Sequence, residues 1–231
     1  MRNTLLDEFE KYETIENSKE ELKDIGNLSP TIILPLICSK KLKIENVDSI
    51  RKIEPQKGYF EDEQEILNEL DIPPYNKNTL NFIFHELTSN IYDHSKFSNG
   101  LVMGKSYMDF KEIGFMDDGI TIPTSLRDGN YSFENDCKAI IEAINGLSTK
   151  NELGFIERGT GLNNTINIIV NGCNGSALIC SGGGLVLICQ NEVHLKDISE
   201  TPINGTLISL RMDLKEKVDI YNYLNHVHYK Y

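Results

Sequence analysis

The chain of 231 residues contains no tryptophan, only five cysteines and no long hydrophobic run. Its apolar stretches, such as residues 31–38 and 177–180, are far shorter than the roughly 20 residues that a membrane-spanning helix needs. The N-terminus is acidic and lacks the apolar core of a secretory signal. Because the cysteines are odd in number and fit no zinc-binding spacing, reduced thiols are expected. These absences predict a cytoplasmic protein that does not contact a membrane.

Basic residues are scarce as well. The 23 lysines and arginines are outnumbered by 35 aspartates and glutamates, which gives a formal net charge of −12. The densest group of basic residues is only Lys40, Lys41 and Lys43. Binding to nucleic acid without sequence preference requires positive charge to neutralise phosphates. The charge balance therefore argues against nucleic acid as a partner.

The double proline at 73–74 marks the best boundary in the chain. Residues 1–75 are interpreted as an N-terminal extension or small α/β subdomain, and residues 76–231 as the main domain. Within the extension, residues 4–25 and 60–70 have the hydrophobic spacing of helices.

Residues 31–38 are predicted to be a buried strand, at an edge or a bulge because position 35 is proline. A segment this apolar is not expected to be exposed in a monomer. It would therefore pack on the rest of the chain or on a second copy. The extension is therefore a cap on the main domain, a dimerisation arm of a homodimer, or a subdomain that binds a partner.

The main domain alternates helical and strand-like patterns. A helix is predicted at 78–95, followed by strands near 100–109 and 112–117, a helix near 133–145 and a helix that begins near 161. Three further strands are predicted near 175–181, 184–190 and 205–212, the first two joined by a glycine hairpin turn at 182–184. This order indicates an α/β layer arrangement with largely antiparallel strands.

Glu86, Asn90 and His94 are spaced four residues apart, which places them along one face of the helix at 78–95. A helix that presents a carboxylate, an amide and an imidazole in one direction is suited to hold a polar ligand. A solvated helix face is the alternative interpretation.

Two glycine-containing segments have patterns typical of a nucleotide site. Asp117 ends a strand-like run, where its carboxylate can accept a hydrogen bond from an exocyclic amine such as that of adenine, and Gly119 would let the backbone approach a flat ring. Residues 159–162 open an apolar helix whose free backbone N–H groups favour phosphate. An ordinary turn and a flexible helix cap are the respective alternatives.

Taken in order, these segments resemble the GHKL ATPases, the ATP-binding fold shared by gyrase, Hsp90, histidine kinases and MutL. HELTSNIYDH is similar to their N box, FMDDGITIP to the first glycine box, RGTGL to the second and NGT to the third, over roughly residues 76–212. His94 makes the N box similar to that of anti-sigma-factor kinases and related small regulators. The resemblance implies a Bergerat-type fold, an α/β (α+β) two-layer sandwich with a mostly antiparallel sheet and helices on one face, plus the N-terminal α/β extension.

The resemblance also implies ATP and Mg²⁺ as cofactors and a role for each matching residue. Asn90 would ligate Mg²⁺, Glu86 matches the general base of members that hydrolyse ATP or phosphorylate protein, and Asp117 would bind the adenine amine. The other implied nucleotide contacts are His94, Gly119, Thr121, Gly159, Thr160, Gly161, Leu162 and Thr206, together with Thr149, Lys150 and Arg158 in the segment that would form the ATP lid. Thr121 replaces a glycine of the family pattern, and a β-branched residue there restricts the backbone. We expect this replacement to affect turnover more than binding.

The resemblance leaves two functions open. Residues 1–84 contain no histidine, which argues against a histidine kinase of the usual layout, and nineteen residues follow Met212, which argues against the gyrase, MutL and Hsp90 types. We therefore expect a small cytoplasmic regulator with a protein partner. Glu86 favours slow ATP hydrolysis or serine/threonine phosphorylation, whereas Thr121 and the extension favour a non-catalytic, nucleotide-gated binding module.

Overall fold

The computed structural model describes residues 4–18, 22, 25–47, 49–148, 160–225 and 227–230. Within these residues the chain is an α+β protein whose helices pack on one seven-stranded antiparallel sheet. The helices are α1 (Leu5–Asn17), α2 (Pro30–Cys38), α3 (Glu63–Glu69), α4 (Lys77–Asn90), α5 (Ile122–Asp128), α6 (Asp136–Ile144) and α7 (Thr160–Asn167). The strands are β1 (Ile50–Ile53), β2 (Gly100–Ser106), β3 (Lys111–Asp117), β4 (Ser176–Gly182), β5 (Gly184–Cys189), β6 (Glu192–Asp197) and β7 (Ile203–Met212).

The strands lie in the order β1-β2-β3-β7-β4-β5-β6, and every neighbouring pair is antiparallel. The last strand, β7, therefore lies in the middle of the sheet, between β3 and β4. Five strands predicted from the sequence are confirmed as β2, β3, β4, β5 and β7. The first strand, β1, belongs to residues 1–75 and pairs with β2, so the extension contributes an edge strand to the sheet of the main domain.

Helices cover both faces of the sheet. One face carries Val102, Phe115 and Ile179, which form a core with buried side chains of α3, α4, α6 and α7. The opposite face carries Met116 and Leu178, which form a second core with α1 and α2. Because side chains alternate along a strand, neighbouring residues such as Phe115 and Met116 belong to different cores. The helices of the main domain thus lie on one face, and the first two helices of the extension lie on the other.

The prediction of a strand at residues 31–38 is wrong, because this segment is helix α2. A short apolar run has no period that separates a buried strand from a buried helix, and Ile32, Ile33 and Leu34 are all fully buried. Pro30 occupies the first helical position, where its missing N–H costs nothing. The helix packs on its own sheet, over Gly114, where a Cβ would lie 2.7 Å from Leu34 Cδ1. The segment therefore packs on the rest of the chain.

An ion pair between two strands also holds the start of α2 through hydrogen bonds. Glu112 of β3 and Arg211 of β7 are cross-strand partners whose charged groups lie 2.8 Å apart, and Glu112 is fully buried. The Glu112 carboxylate also accepts hydrogen bonds from the hydroxyl and the backbone N–H of Thr31, at 2.8 and 3.3 Å. Its negative charge thus lies at the N-terminus of α2, where the helix dipole favours it.

Candidate functional site

A cavity of about 450 Å³ opens on the face that carries α4, α6 and α7. This volume lies in the range of small-molecule sites. Asp117 and Thr206 line it from the sheet, α4 borders one side, and the end of α6 and the start of α7 border the other. Eight residues that the sequence singled out line this cavity: Glu86, Asn90, His94, Asp117, Thr160, Gly161, Leu162 and Thr206.

Three polar residues form a row across adjacent strands beside the cavity. Asp117 of β3 is the register partner of Thr206 of β7, and Thr206 is also the partner of Ser181 of β4. Directly opposed residues share one face of a sheet, so all three side chains lie on the cavity side. Asp117 is 2% exposed and Ser181 is fully buried. The central strand β7 thus brings the ends of β3 and β4 into one polar row within an otherwise apolar face.

Burial is the main influence on Asp117. Desolvation raises its pKa to about 7, although the hydrogen bond from the Gly119 N–H lowers the pKa and the charge of Asp118 adds to the rise. The Gly119 N–H donates to Oδ1 at 2.9 Å. A carboxylate that exchanges its proton near neutral pH and faces a cavity is a functional-site candidate.

The cavity side of α4 presents the carboxylate, the amide and the imidazole together. Glu86 and Asn90 are half-buried, and α4 ends at Asn90 in a π-helical turn over residues 91–95 that carries His94. Burial raises the pKa of Glu86, and the nearby His85 partly opposes this rise. Turns of π-helix occur often at functional sites. This turn is closed by the Ser95 hydroxyl, which donates to the Ile91 carbonyl at 2.8 Å.

The two glycines nearest to these groups are required by close packing. A Cβ on Gly119 would overlap the carbonyl of Ser95, and the next residue, Ile120, donates its N–H to that same carbonyl at 2.5 Å. A Cβ on Gly161 would overlap Oε2 of Glu86. Gly119 thus lets the end of β3 meet the π-helical turn, and Gly161 lets the start of α7 meet α4.

Thr121 begins α5 and does not line the cavity in the described residues. It is the N-cap, with extended backbone angles of −66° and 151°, and its hydroxyl accepts the Thr124 N–H at 3.2 Å. Threonine is among the residues that helix N-caps prefer. A β-branched residue here is therefore explained by the short helix α5, which the sequence reading missed.

The start of α7 lines the cavity with its first turn. Thr160, Gly161 and Leu162 form its first turn, where N–H groups have no partner within the helix. The other expected contacts, Thr149, Lys150, Arg158 and Gly159, lie outside the described residues.

Sequence reasoning also missed Ser181 and Ser95. Ser181 follows an apolar run at the end of β4, as Asp117 follows one at the end of β3. Its position at a strand end was the only feature of the sequence that could have indicated a role for Ser181. A serine at the end of a strand is too common for that feature to be informative. Ser95 contributes through its backbone carbonyl and through contacts formed only in the folded chain.

No cluster of three or more histidine, cysteine, aspartate or glutamate side chains suited to a metal ion occurs among the described residues. Over the same part of the chain, no helix combines the length and the apolar composition that a membrane crossing requires. The five cysteines are all free thiols.

No protein-family model matches the chain, and no curated protein resembles it significantly. The geometry of the cavity is therefore the basis for assigning a function.

Proposed function

We propose that this chain binds ATP with Mg²⁺ in the cavity beside Asp117 and Thr206, as a GHKL-type domain with a Bergerat-type core in residues 76–231. One observation carries the proposal. Four segments far apart in the sequence, at α4, the end of β3, the start of α7 and β7, all line a single cavity. They are the four segments on which the resemblance rests. Their chemistry distinguishes a base end, where the adenine ring would lie, from a phosphate end, where the phosphates would lie.

Asp117 and Thr206 form the base end. The ionised Asp117 carboxylate accepts a hydrogen bond from the 6-amino group of adenine. Because Asp117 is buried, water competes poorly for this carboxylate, and the hydrogen bond contributes more to the binding free energy than it would at the surface. Apolar lining residues such as Ile120, Leu126 and Ile208 provide contact for the ring. A buried acceptor in an apolar surround favours a ligand that brings a donor to it.

The first turn of α7 and Asn90 form the phosphate end. Backbone N–H groups at a helix N-terminus bind anions without a basic side chain. The amide oxygen of Asn90 is a hard oxygen ligand on the facing helix. Mg²⁺ is commonly held by one or two protein oxygens together with phosphates and water, so Asn90 fits that ion although the described chain holds no acidic cluster. When bound, Mg²⁺ supplies charge neutralisation and orientation of the phosphates.

Glu86 is the residue that would act as general base. Its carboxylate lies at the start of α7, and burial raises its pKa, so it is a stronger base than an exposed glutamate. It would accept the proton of the attacking oxygen, either of water or of a serine or threonine hydroxyl on a partner protein. The oxygen–phosphorus bond forms as the γ-phosphoryl group leaves ADP. The products are then ADP with phosphate, or ADP with a phosphorylated protein, and the chain would act as a small cytoplasmic regulator.

A nucleotide-gated binding module is the second candidate function. The favouring observation is that the extension packs behind the base end of the cavity. Met116 and Leu207 belong to the core of α1 and α2, and their neighbours in sequence, Asp117 and Thr206, line the cavity. Nucleotide contacts at the cavity would thereby reach the helices of the extension without any turnover.

Calorimetric titration of the stripped protein with ATP–Mg²⁺ is the test of binding, and Glu86→Ala separates the two functions. Loss of turnover with retained affinity in Glu86→Ala supports the enzyme. Absence of turnover in the unmodified protein, with tight binding, supports the module. Glu63→Ala is the matched control, because Glu63 is also half-buried with a pKa raised by burial but lies outside the cavity lining. No binding at millimolar nucleotide would overturn the proposal.

A further inference from the structure

The buried Ser181 hydroxyl lies at the centre of a hydrogen-bond network beneath the base end of the cavity. It accepts the N–H of Ile122 at 2.9 Å and donates to the carbonyl of Gly205 at 3.0 Å. It also lies 3.0 Å from the hydroxyl of Thr206, a contact in which either oxygen could be the donor. These three contacts together determine the direction of the Thr206 proton.

A serine hydroxyl has one proton to donate and two lone pairs that accept. The Gly205 carbonyl can only accept, so it takes the Ser181 proton, and the Ile122 N–H occupies one lone pair. The remaining lone pair is satisfied when Thr206 donates to it. If Ser181 instead gave its proton to Thr206, no proton would lie between the Ser181 hydroxyl oxygen and the Gly205 carbonyl oxygen. These two buried acceptors would then face each other at 3.0 Å, which costs free energy.

The satisfied arrangement leaves Thr206 with only lone pairs for the cavity. Thr206 is the register partner of Asp117, and an ionised carboxylate also only accepts. The sheet therefore presents two acceptors side by side. A purine with an amino group at position six brings donors to this surface, whereas a purine with a carbonyl oxygen at that position brings a third acceptor.

We propose that Ser181 determines purine specificity: by receiving the Thr206 proton it keeps the base end acceptor-only, which favours 6-amino over 6-oxo purine nucleotides. This inference rests on the proposed function, because it concerns how the base of a bound nucleotide is read. Ser181 is separated from the base by Thr206, so it is a positioning residue rather than a catalytic one.

The test is calorimetric titration with ATP and with inosine triphosphate, in which a 6-oxo group replaces the 6-amino group and the adjacent N1 carries a proton. In Ser181→Ala, Thr206 is released to donate to the 6-oxo group. The ratio of the inosine triphosphate to the ATP dissociation constant is expected to fall about tenfold, the value of one reoriented hydrogen bond. Ser181→Cys, whose thiol is a weak donor and a weak acceptor, is the second variant and is expected to shift the ratio in the same direction.

Two controls distinguish proton orientation from general damage. Ser209→Ala also removes a fully buried hydroxyl, which has no hydrogen-bond partner among the described residues and belongs to the opposite face of the sheet. This variant should leave the ratio unchanged. In a Thr206→Val background, Ser181→Ala should have no further effect on the ratio, because valine has no proton to orient.

The outcomes separate this inference from the proposed function. An unchanged ratio in folded Ser181→Ala and Ser181→Cys variants that still bind ATP overturns the specificity role and leaves the proposed function standing. An equal loss of affinity for both nucleotides also overturns it, because Ser181 would then be only structural. Absence of nucleotide binding to the unmodified protein overturns the proposed function itself.

Discussion

The Glu86 carboxylate lies against Gly161, with Oε2 in the space that a Cβ on Gly161 would occupy. This contact joins the C-terminal half of α4 to the first turn of α7, two of the helices that border the cavity. It places the only carboxylate of α4, which lines the cavity, next to the first turn of α7. Glu86, the proposed general base, and the first turn of α7, which is proposed to hold phosphate, therefore position one another.

Gly161→Ala is expected to lower turnover while changing stability little. The overlapping atom is the far end of a flexible side chain, so Glu86 can move away, and the unfolding free energy should change by less than about 1 kcal/mol. A displaced base, however, can lower the rate by about 10²-fold. Gly26→Ala is the matched control, because a Cβ there meets no atom of the described residues within 4 Å. Steady-state kinetics and thermal unfolding measure the two effects, and a large loss of stability would contradict the prediction.

Gly119→Ala should behave in the opposite way. Its Cβ would overlap the backbone carbonyl of Ser95, which already accepts the Ile120 N–H at 2.5 Å, so relief requires the π-helical turn to move. We expect a loss of about 1–3 kcal/mol in the free energy of unfolding, the usual cost of overpacking. Denaturant titration of both alanine variants gives the comparison, and equal stability at the two positions would refute it.

The main-domain elements could be predicted where a periodic pattern was long and bounded by turn residues, as for α4 and the hairpin of β4 and β5. The apolar run that forms α2 carried no such period, so its helix was misread as a strand. The edge strands β1 and β6 were missed because they are short and carry charged residues. Arg51 of β1, for example, pairs with Glu65 at 3.0 Å and with Glu69, and those contacts exist only after folding.

The same distinction holds for the site. Helical spacing was enough to place Glu86, Asn90 and His94 towards one side, and all three line the cavity. The pairing of Asp117 with Thr206 and of Thr206 with Ser181 depends on the position of β7 between β3 and β4. Strand order arises from tertiary packing, so no local pattern could reveal that Ser181 belongs to the site.

Glu112→Ala is expected to destabilise the protein by about 3–5 kcal/mol, because it breaks the ion pair between the fully buried Glu112 and Arg211, whose side chain is only 11% exposed. Thr31 would also lose its acceptor at the start of α2. Glu61→Ala is the control, since it removes an exposed ion pair with Lys57, and such pairs contribute at most about 1 kcal/mol. The free energies of unfolding from denaturant titration should differ accordingly, and similar values would contradict the anchoring role of Glu112.

Asp117 should make the protein less stable as the pH rises. Its folded-state pKa is raised from 3.8 to about 7, so its contribution to stability is fully present below about pH 4 and is lost as the pH rises through 7. Asp117→Asn should therefore be more stable than the unmodified protein at pH 8 and lose that advantage near pH 4. Asp118→Asn is the neighbouring control with the opposite sign. Burial acts to raise the pKa of Asp118, but hydrogen bonds from Asn99 and Ser98 outweigh it and lower the pKa.

Protonation of Asp117 should also control the affinity for adenine, but the affinity should rise with pH whereas the stability falls. Adenosine needs the ionised form of Asp117 as acceptor, so its affinity should fall as the pH drops below 7, approaching tenfold per pH unit. Adenosine is the suitable probe because it carries no phosphate that titrates in this range. Asp117→Asn should bind weakly with a nearly flat pH profile, which separates Asp117 from Glu86, Asp93 and His94, which also line the cavity and can titrate. If the pH dependence persisted unchanged in Asp117→Asn, another group would have to carry it, and Asp117 would lose its assignment as the residue that reads the base.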